Sequence, residues 1–442
     1  MFIMPYWFSL RKNIIISFLF DIFAFVVFFN TLKVYSNGFK TIFFNFFILF
    51  FWLLTSYVVG RYHQNKKDIL ENIKNIFLSC LNFFVYFSFT FLLFYKIIDF
   101  KDNYIYWENF VFFVKYIIAS FIGQYFLRLF LISNSKSQQN WEFVGSHNSF
   151  LKLLDLVKIS KININYSDSI DKLLTDNKKV RNIIIEKFGD FTSLNQEKII
   201  NLYFQGENIF SIVNWSEIFL QRIPSVFLSS NELLNLFANI SRGRSFQIRL
   251  KRISDIFLSL IMLIFALPIM CFFGILILLE DNGPILYFQD RVGKNGIKFR
   301  ICKLRTMKVN AEEGGAQWSK KNDVRITQIG KFLRASRIDE LPQLYSVLIG
   351  NMSLIGPRPE RPEIDSNLKK IIPFYDLRYL VKPGLSGWAQ VNYSYGSSID
   401  DSEIKLTYDF FYIKNFSFWL DLLIFFRTIR LVSRREGANP IR

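Results

Sequence analysis

Two adjacent carboxylates, Asp339 and Glu340, stand in the stretch RIDELPQLYSVLIGNMSLIGPRPERPE (residues 337–363) among fixed cations. Arg325, Lys331, Arg334, Arg337 and Arg358 crowd the same region of sequence. Arg358 lies between Pro357 and Pro359, which hold its backbone stiff. Guanidinium forks bind phosphate oxygens bidentately. Successive residues on a helix diverge by about 100°, so the two carboxylates divide into two roles, one a nucleophile and the other a metal ligand or base. Pro342 suits the first helical position, which puts the pair at a helix N-terminus. The dipole there favours the ionised form and lowers basicity. An ionised carboxylate at such a place suits covalent attack on phosphorus. By itself the pair is a solvated acidic turn, and each arginine by itself is a surface contact. Their conjunction is what points to phosphoryl chemistry.

The rest of the inventory narrows the chemistry. The chain has two histidines, His63 and His147, neither in the C-terminal half. A Ser-His-Asp triad or a histidine-built zinc site is excluded there, so any acid, base or nucleophile is Asp, Glu, Lys, Cys, Ser or Tyr. Cys80, Cys271 and Cys302 are scattered, with no CxxC pattern. The stretch YFQDRVGKNGIKFRICKLRTM (287–307) alternates apolar and basic residues in strand fashion and ends in Lys303 and Arg305. KPGLSGWAQV (382–391) reads as a tight loop. Gly384 and Gly387 permit close approach of backbone to a ligand. Trp388 offers a stacking or membrane-interface face, or fills a core, and Gln390 lies in the same loop.

The elements that must position these residues are largely apolar. The chain has 442 residues, 51% of them hydrophobic, with 53 Phe and a formal net charge of +18. That combination fits a membrane protein with basic cytoplasmic parts better than a nucleic-acid binder. Four apolar runs, residues 13–32, 41–59, 77–98 and 110–132, each approach the ~20 residues needed to span a bilayer. Arg11, Lys12, Arg61, Lys66, Lys67, Lys74, Arg128 and Lys136 flank them so that both ends of the bundle face the cytoplasm. Residues 141–240 turn polar, with three strand patterns separated by helical ones, which predicts a small α/β domain with a parallel sheet. Gly145 alone stands where a dinucleotide-binding turn needs three glycines. After a basic linker, residues 253–279 are long enough for a fifth span, but Pro268 sits in their middle and basic residues flank both sides. The sequence leaves a fifth span and a re-entrant helix both open. NFSFWLDLLIFFRTIRLV (415–432) predicts an amphipathic helix lying on the membrane.

These stretches, in this order, closely resemble the bacterial sugar transferase family, the polyprenyl-phosphate sugar-1-phosphate transferases of monotopic type. The four spans and the degenerate Rossmann-like domain resemble its long-form members, which start exopolysaccharide, capsule or O-antigen units. The resemblance implies three domains: a four-helix transmembrane bundle (1–135), a Rossmann-like α/β domain (141–240) and a catalytic domain of mixed α/β type (245–442) with a re-entrant helix kinked at Pro268. It implies transfer of a sugar-1-phosphate from a UDP-sugar to undecaprenyl phosphate at the cytoplasmic face of the bacterial inner membrane. Asp339 would be the nucleophile and Glu340 would position Mg²⁺ or the incoming phosphate, the two carboxylates being the metal ligands. Lys303, Arg305, Arg325, Arg334 and Arg358 would hold phosphates, and Gly384, Gly387, Trp388 and Gln390 would line the substrate loop. The implied partners are the UDP-sugar, the lipid acceptor and the bilayer, with room for a homodimer. One departure is visible, because Asn351 stands where the family usually has Asp. The rival readings are an inactive sugar-lipid scaffold and a membrane-anchored nucleotide-sugar dehydrogenase or dehydratase using the α/β domain.

Overall fold

The computed structural model describes residues 12–31, 38–59, 61–62, 103–133, 140–157, 162–170, 182–228, 233, 245–309, 311, 323–393 and 398–433. The chain forms two compact units, Met1–Ser137 and Gln138–Arg442.

In the first unit, helices α1 (Lys12–Thr31), α2 (Gly38–Val59) and α3 (Asn103–Ser133) carry three of the four apolar runs. The run at 77–98 lies outside the described residues. Phe25, Trp52, Phe113 and Tyr116 fill the core, with Phe25 edge-on to Tyr116 at 5.5 Å. A polar cluster is buried beside them. Asp21 accepts hydrogen bonds from the hydroxyls of Tyr62 (2.7 Å) and Ser120 (2.6 Å) and from Gln124 Nε2 (3.0 Å). Arg61 was expected among the cytoplasmic flanking charges. Instead it is wholly buried, its Nε 3.5 Å from Asp21 Oδ2 and its Nη2 donating to Ser120 Oγ at 2.5 Å. An aspartate in the middle of an apolar helix needs a counter-charge, and that need removes Arg61 from the surface.

The second unit opens with β1 (Trp141–Val144), α4 (His147–Val157), β2 (Ile164–Ser167), β3 (Asn182–Ile185), α5 (Ser193–Phe204), β4 (Asn208–Ser211) and α6 (Ile212–Trp215). The strands form one parallel sheet in the order β2-β1-β3-β4. The apolar strands β1, β3 and β4 are those the sequence pattern predicts. The pattern misses β2, a polar edge strand in which only Ile164 is buried. Where β1 turns into α4, Glu186 at the end of β3 accepts from Ser146 N (2.8 Å) and Ser149 Oγ (2.5 Å). A Cβ on Gly145 would lie 2.8 Å from this Glu186 side chain. The turn after β1 is thus braced by the chain's own carboxylate.

Helix α7 (Ser245–Asp281) is continuous over 37 residues and contains Pro268. Among the described residues it is the one helix long and apolar enough to cross a membrane. Its middle exposes Phe257, Ile264, Phe265 and Phe272. Next come β5 (Leu286–Val292), β6 (Lys298–Leu304), α8 (Gln328–Ser336), a 3₁₀ helix (Ile338–Gln343), α9 (Leu344–Ile349), β7 (Ser353–Ile355), α10 (Pro362–Ile371), β8 (Gly384–Ser386), α11 (Trp388–Asn392), α12 (Ile399–Asn415) and α13 (Phe418–Ser433). Both flanks of α7 dock on this assembly. Arg252 donates to the Val347 and Leu348 carbonyls, both at 2.7 Å, capping the end of α9. Asp255 accepts from Ser353 Oγ (2.8 Å) and Leu354 N (3.1 Å). At the other end Ile277 packs with Leu304 and Leu333, and Glu280 accepts from Gln328 N at 2.9 Å, capping the start of α8.

Helix α13 departs from expectation. Leu420 and Ile424 on its apolar face are fully buried against the protein, and Asp421 bonds Tyr412 and Lys251. Part of the apolar surface of the helix is thus used for packing, while Trp419 stays exposed and Phe425 and Phe426 are half-buried.

Candidate active site

The acidic pair sits on a chain reversal. Arg337 ends α8 with φ 58°, and Asp339 and Glu340 form the first turn of the 3₁₀ helix that follows. Pro342 is thus inside this 3₁₀ helix rather than at a helix start. Successive side chains on a 3₁₀ helix point about 120° apart, and the two carboxylates do separate. Both are buried, each 7% exposed. Glu340 takes Arg358 Nη2 at 2.6 Å, Arg337 Nη1 at 3.3 Å and Lys303 Nζ at 3.6 Å. Asp339 Oδ1 is buried with no hydrogen-bond partner. Lys303 comes from the antiparallel hairpin β5–β6, whose turn uses Asn295 and Gly296 at positive φ.

The electrostatics divide the pair further. Burial, then the neighbouring Glu340, pushes the Asp339 carboxyl up to about 6. This corrects the expectation of lowered basicity, because desolvation and a like charge outweigh a single turn's dipole. Burial would raise Glu340 too, but Arg358, Arg337 and Lys303 hold it well below the usual carboxylate range. Burial brings Lys303 down to about 8, reinforced by Arg358 and Arg291 and opposed by Glu340.

The turn bearing Arg358 is fixed from several directions. Gly356 N donates to Ser386 O (2.8 Å) and Gly384 N to Pro357 O (2.9 Å). Arg291 Nη1 donates to Pro359 O (3.0 Å) and Arg378 Nη2 to Arg358 O (2.8 Å). Sequence reasoning missed Arg291, Arg378 and Gly356. Arg291 carries a weak signal, as a basic residue in the same alternating stretch as Lys303. Arg378 carries none outside the tertiary structure.

Residues 246–435 match the family described as bacterial sugar transferase. A Bacillus subtilis protein named as an undecaprenyl-phosphate N-acetylgalactosaminyl 1-phosphate transferase is 53% identical over 129 residues, 29% of this chain and 72% of that one. The chain belongs to the bacterial sugar transferase family. It is also 44% identical over 236 residues to the Aeromonas hydrophila UDP-N-acetylgalactosamine-undecaprenyl-phosphate N-acetylgalactosaminephosphotransferase, covering 52% of this chain and 53% of that relative. With the Escherichia coli UDP-glucose:undecaprenyl-phosphate glucose-1-phosphate transferase it shares 37% identity over 182 residues, 41% and 39% of the two chains. These last two matches thus span about half the relative's length or less.

Within this family member the remaining expected site residues fall into two groups. Arg334 stays near the pair: its Nε donates to Thr306 Oγ1 (2.8 Å) and its charge is felt at Asp339. Arg305 does not reach it. Arg305 is buried and bonded to Asp281 at the end of α7. Arg325 is bidentate on Asp323, at 2.8 and 2.6 Å. Gly384 and Gly387 do permit close approach, but of backbone to backbone. A Cβ on Gly384 would lie 2.0 Å from Gly356 N, and one on Gly387 2.2 Å from Gly356 O. Trp388 is a core residue, stacked on Phe411 at 5.5 Å. Gln390 Nε2 donates to Leu385 O at 3.2 Å, so it braces its own loop. Asn351 is exposed beside the Gly350 turn. Among the described residues no group of three or more His, Cys, Asp or Glu side chains converges. A magnesium ion carried by a diphosphate needs only one or two carboxylates. Asp339, with its unpartnered oxygen, fits that need. Glu340, engaged by three cations, offers less.

Proposed function

We propose that the chain transfers a sugar-1-phosphate from a UDP-sugar to undecaprenyl phosphate, the first membrane step of exopolysaccharide, capsule or O-antigen assembly. The observation that carries this reading is the buried Asp339 with an unpartnered oxygen beside a carboxylate that fixes three cations. An Asp339 oxygen attacks the phosphorus bearing the sugar, and the bond from that phosphorus to the UMP oxygen breaks. A phosphosugar–aspartyl mixed anhydride remains, and UMP leaves with the bond's electron pair. An oxygen of the lipid phosphate then attacks the same phosphorus and releases the Asp339 carboxylate. Lys303, Arg337 and Arg358, preorganised by Glu340, and Arg334 beside Asp339 stabilise the negative charge on the transferring group. When bound, Mg²⁺ would neutralise the diphosphate of the donor. The relatives named for N-acetylgalactosamine, at 53% and 44% identity, put that sugar first among donors to try.

The membrane reading extends this. The apolar helices of the first unit act as a multi-pass anchor in the inner membrane, and α7 enters and returns on the cytoplasmic face. Its support is that both flanks of α7 bind the same folded region. A domain holding both flanks of an apolar helix stays on one side of the bilayer. The parallel sheet is a Rossmann-like domain without the three glycines of a dinucleotide-binding turn, and Glu186 braces the turn after β1. That removes the support for a dehydrogenase.

The test uses purified protein in detergent with undecaprenyl phosphate, Mg²⁺ and single UDP-sugars. Wild type releases UMP with one sugar, and Asp339→Asn releases none. Equal release by the variant, or none by wild type with any nucleotide sugar, sinks the reading.

A further inference from the structure

The turn after β1 is closed by Glu186 on Ser146 and Ser149, which leaves the place of the parallel sheet in a transferase to be explained by its other contacts. The segment that leaves it supplies one. After α6 the chain passes through residues 216–220 and turns sharply at Gln221, φ 55°. Gln221 O accepts from Trp388 Nε1 at 3.1 Å. Ile223 N donates to Thr407 O at 2.9 Å. Arg222 is 3% exposed; its Nη2 donates to the Leu156 carbonyl in the last turn of α4, and its guanidinium lies 5.2 Å from the Tyr408 ring centroid. Glu217 bonds Lys414 (2.5 Å) and the adjacent Asn415 (2.9 Å), about two turns further along α12. The sheet region therefore grips α12 at residues 407 and 408.

The next residue of α12 faces the active site. Asp409, 2% exposed, accepts from Arg378 Nη2 at 3.1 Å. The same Nη2 donates to Arg358 O at 2.8 Å, and Arg358 Nη2 donates to Glu340 at 2.6 Å. Each link is buried or half-buried and made by a charged group, so each is directional.

We propose that the parallel-sheet region is a brace for the active site. Arg222 and Ile223 hold Tyr408 and Thr407 of α12, and through the next residue, Asp409, and Arg378 they fix where Arg358 stands against Glu340. Arg222, Asp409 and Arg378 are positioning residues. The role rests on the phosphoglycosyl transfer proposed above.

The test is a double-mutant cycle on the full chain in detergent, followed by UMP release with undecaprenyl phosphate and the accepted UDP-sugar. Arg222→Met lowers kcat/KM about tenfold, and Arg222→Lys recovers most of the loss. In an Arg358→Met background, adding Arg222→Met changes the rate by less than about twofold, because the effect runs through Arg358. Losses that multiply overturn the brace. If Arg222→Met does not fold, the near-isosteric Asp409→Asn takes its place in the same cycle. Amide hydrogen exchange of the peptide 353–361 gives a readout without turnover. The variant exchanges faster there than wild type, and unchanged exchange overturns the proposal. Wild type that releases no UMP counts against the transferase reading alone, and the exchange result then decides the brace.

Discussion

At the residue scale, Asp339 and Lys303 set a pH window. Asp339 must be ionised to attack phosphorus, and its carboxyl titrates near about 6. Lys303 helps only as an ammonium ion, and it loses its proton near about 8. UMP release therefore rises with pH through about 6, holds, and falls above about 8. Arginine stays charged across this range. Lys303→Arg should keep the acid limb and lose the alkaline one, as a pH–rate profile of both proteins would show. An alkaline limb that persists in the variant would assign it to another group. The pair itself is plain in the sequence. Its division of labour is not, because Glu340's cations arrive from Lys303 on β6, Arg337 beside it and Arg358 eighteen residues on.

At the scale of elements, α7 decides where the chemistry happens. Its apolar middle would be stable across a bilayer or dipping into one. What favours the second is the docking of Arg252 and Asp255 at one end and Glu280 at the other on one folded region. Single cysteines introduced at Arg249 and at Asn295, with Cys80, Cys271 and Cys302 replaced, should both react with an impermeant maleimide in inverted membrane vesicles and neither in spheroplasts. Opposite labelling of the two sites would make α7 a true span. The tight loop at residues 382–391 shows what its glycines do within the fold. Its glycines are demanded by Gly356, since β7 and β8 approach too closely for any side chain.

At the scale of the molecule, the two units carry different problems. The first must bury polar groups among Phe-rich helices, and it does so by pairing Asp21 with Arg61. Asp21→Asn takes the counter-charge from a buried arginine, which costs about 3–5 kcal/mol, whereas removing both charges costs less. Thermal unfolding in detergent should therefore show Asp21→Asn melting below both wild type and the Asp21→Asn, Arg61→Gln double variant. A double variant that melts lower still would mean the pair is not coupled. The second unit joins the sheet region to the catalytic region through Trp388 and Arg222. The Bacillus subtilis relative, of which the match fills 72% while taking 29% of this chain, is a much shorter protein.

The sequence by itself determined the apolar runs, the strand patterns of β1, β3 and β4, the strand-like alternation of residues 287–307 and the acidic pair with Arg358 between its prolines. All of these are local: periodicity, turn residues and rigid backbone act over a few positions. Only the tertiary structure decided that Arg61 leaves the surface for Asp21, that Arg305 serves Asp281 and Arg325 serves Asp323, and that Trp388 is core. It alone brought Arg291 and Arg378 to the Arg358 turn. A charged side chain can bond any partner within reach, and reach is set by which distant segments pack together. Burial, which raises Asp339 and lowers Lys303, exists only once that packing has excluded water.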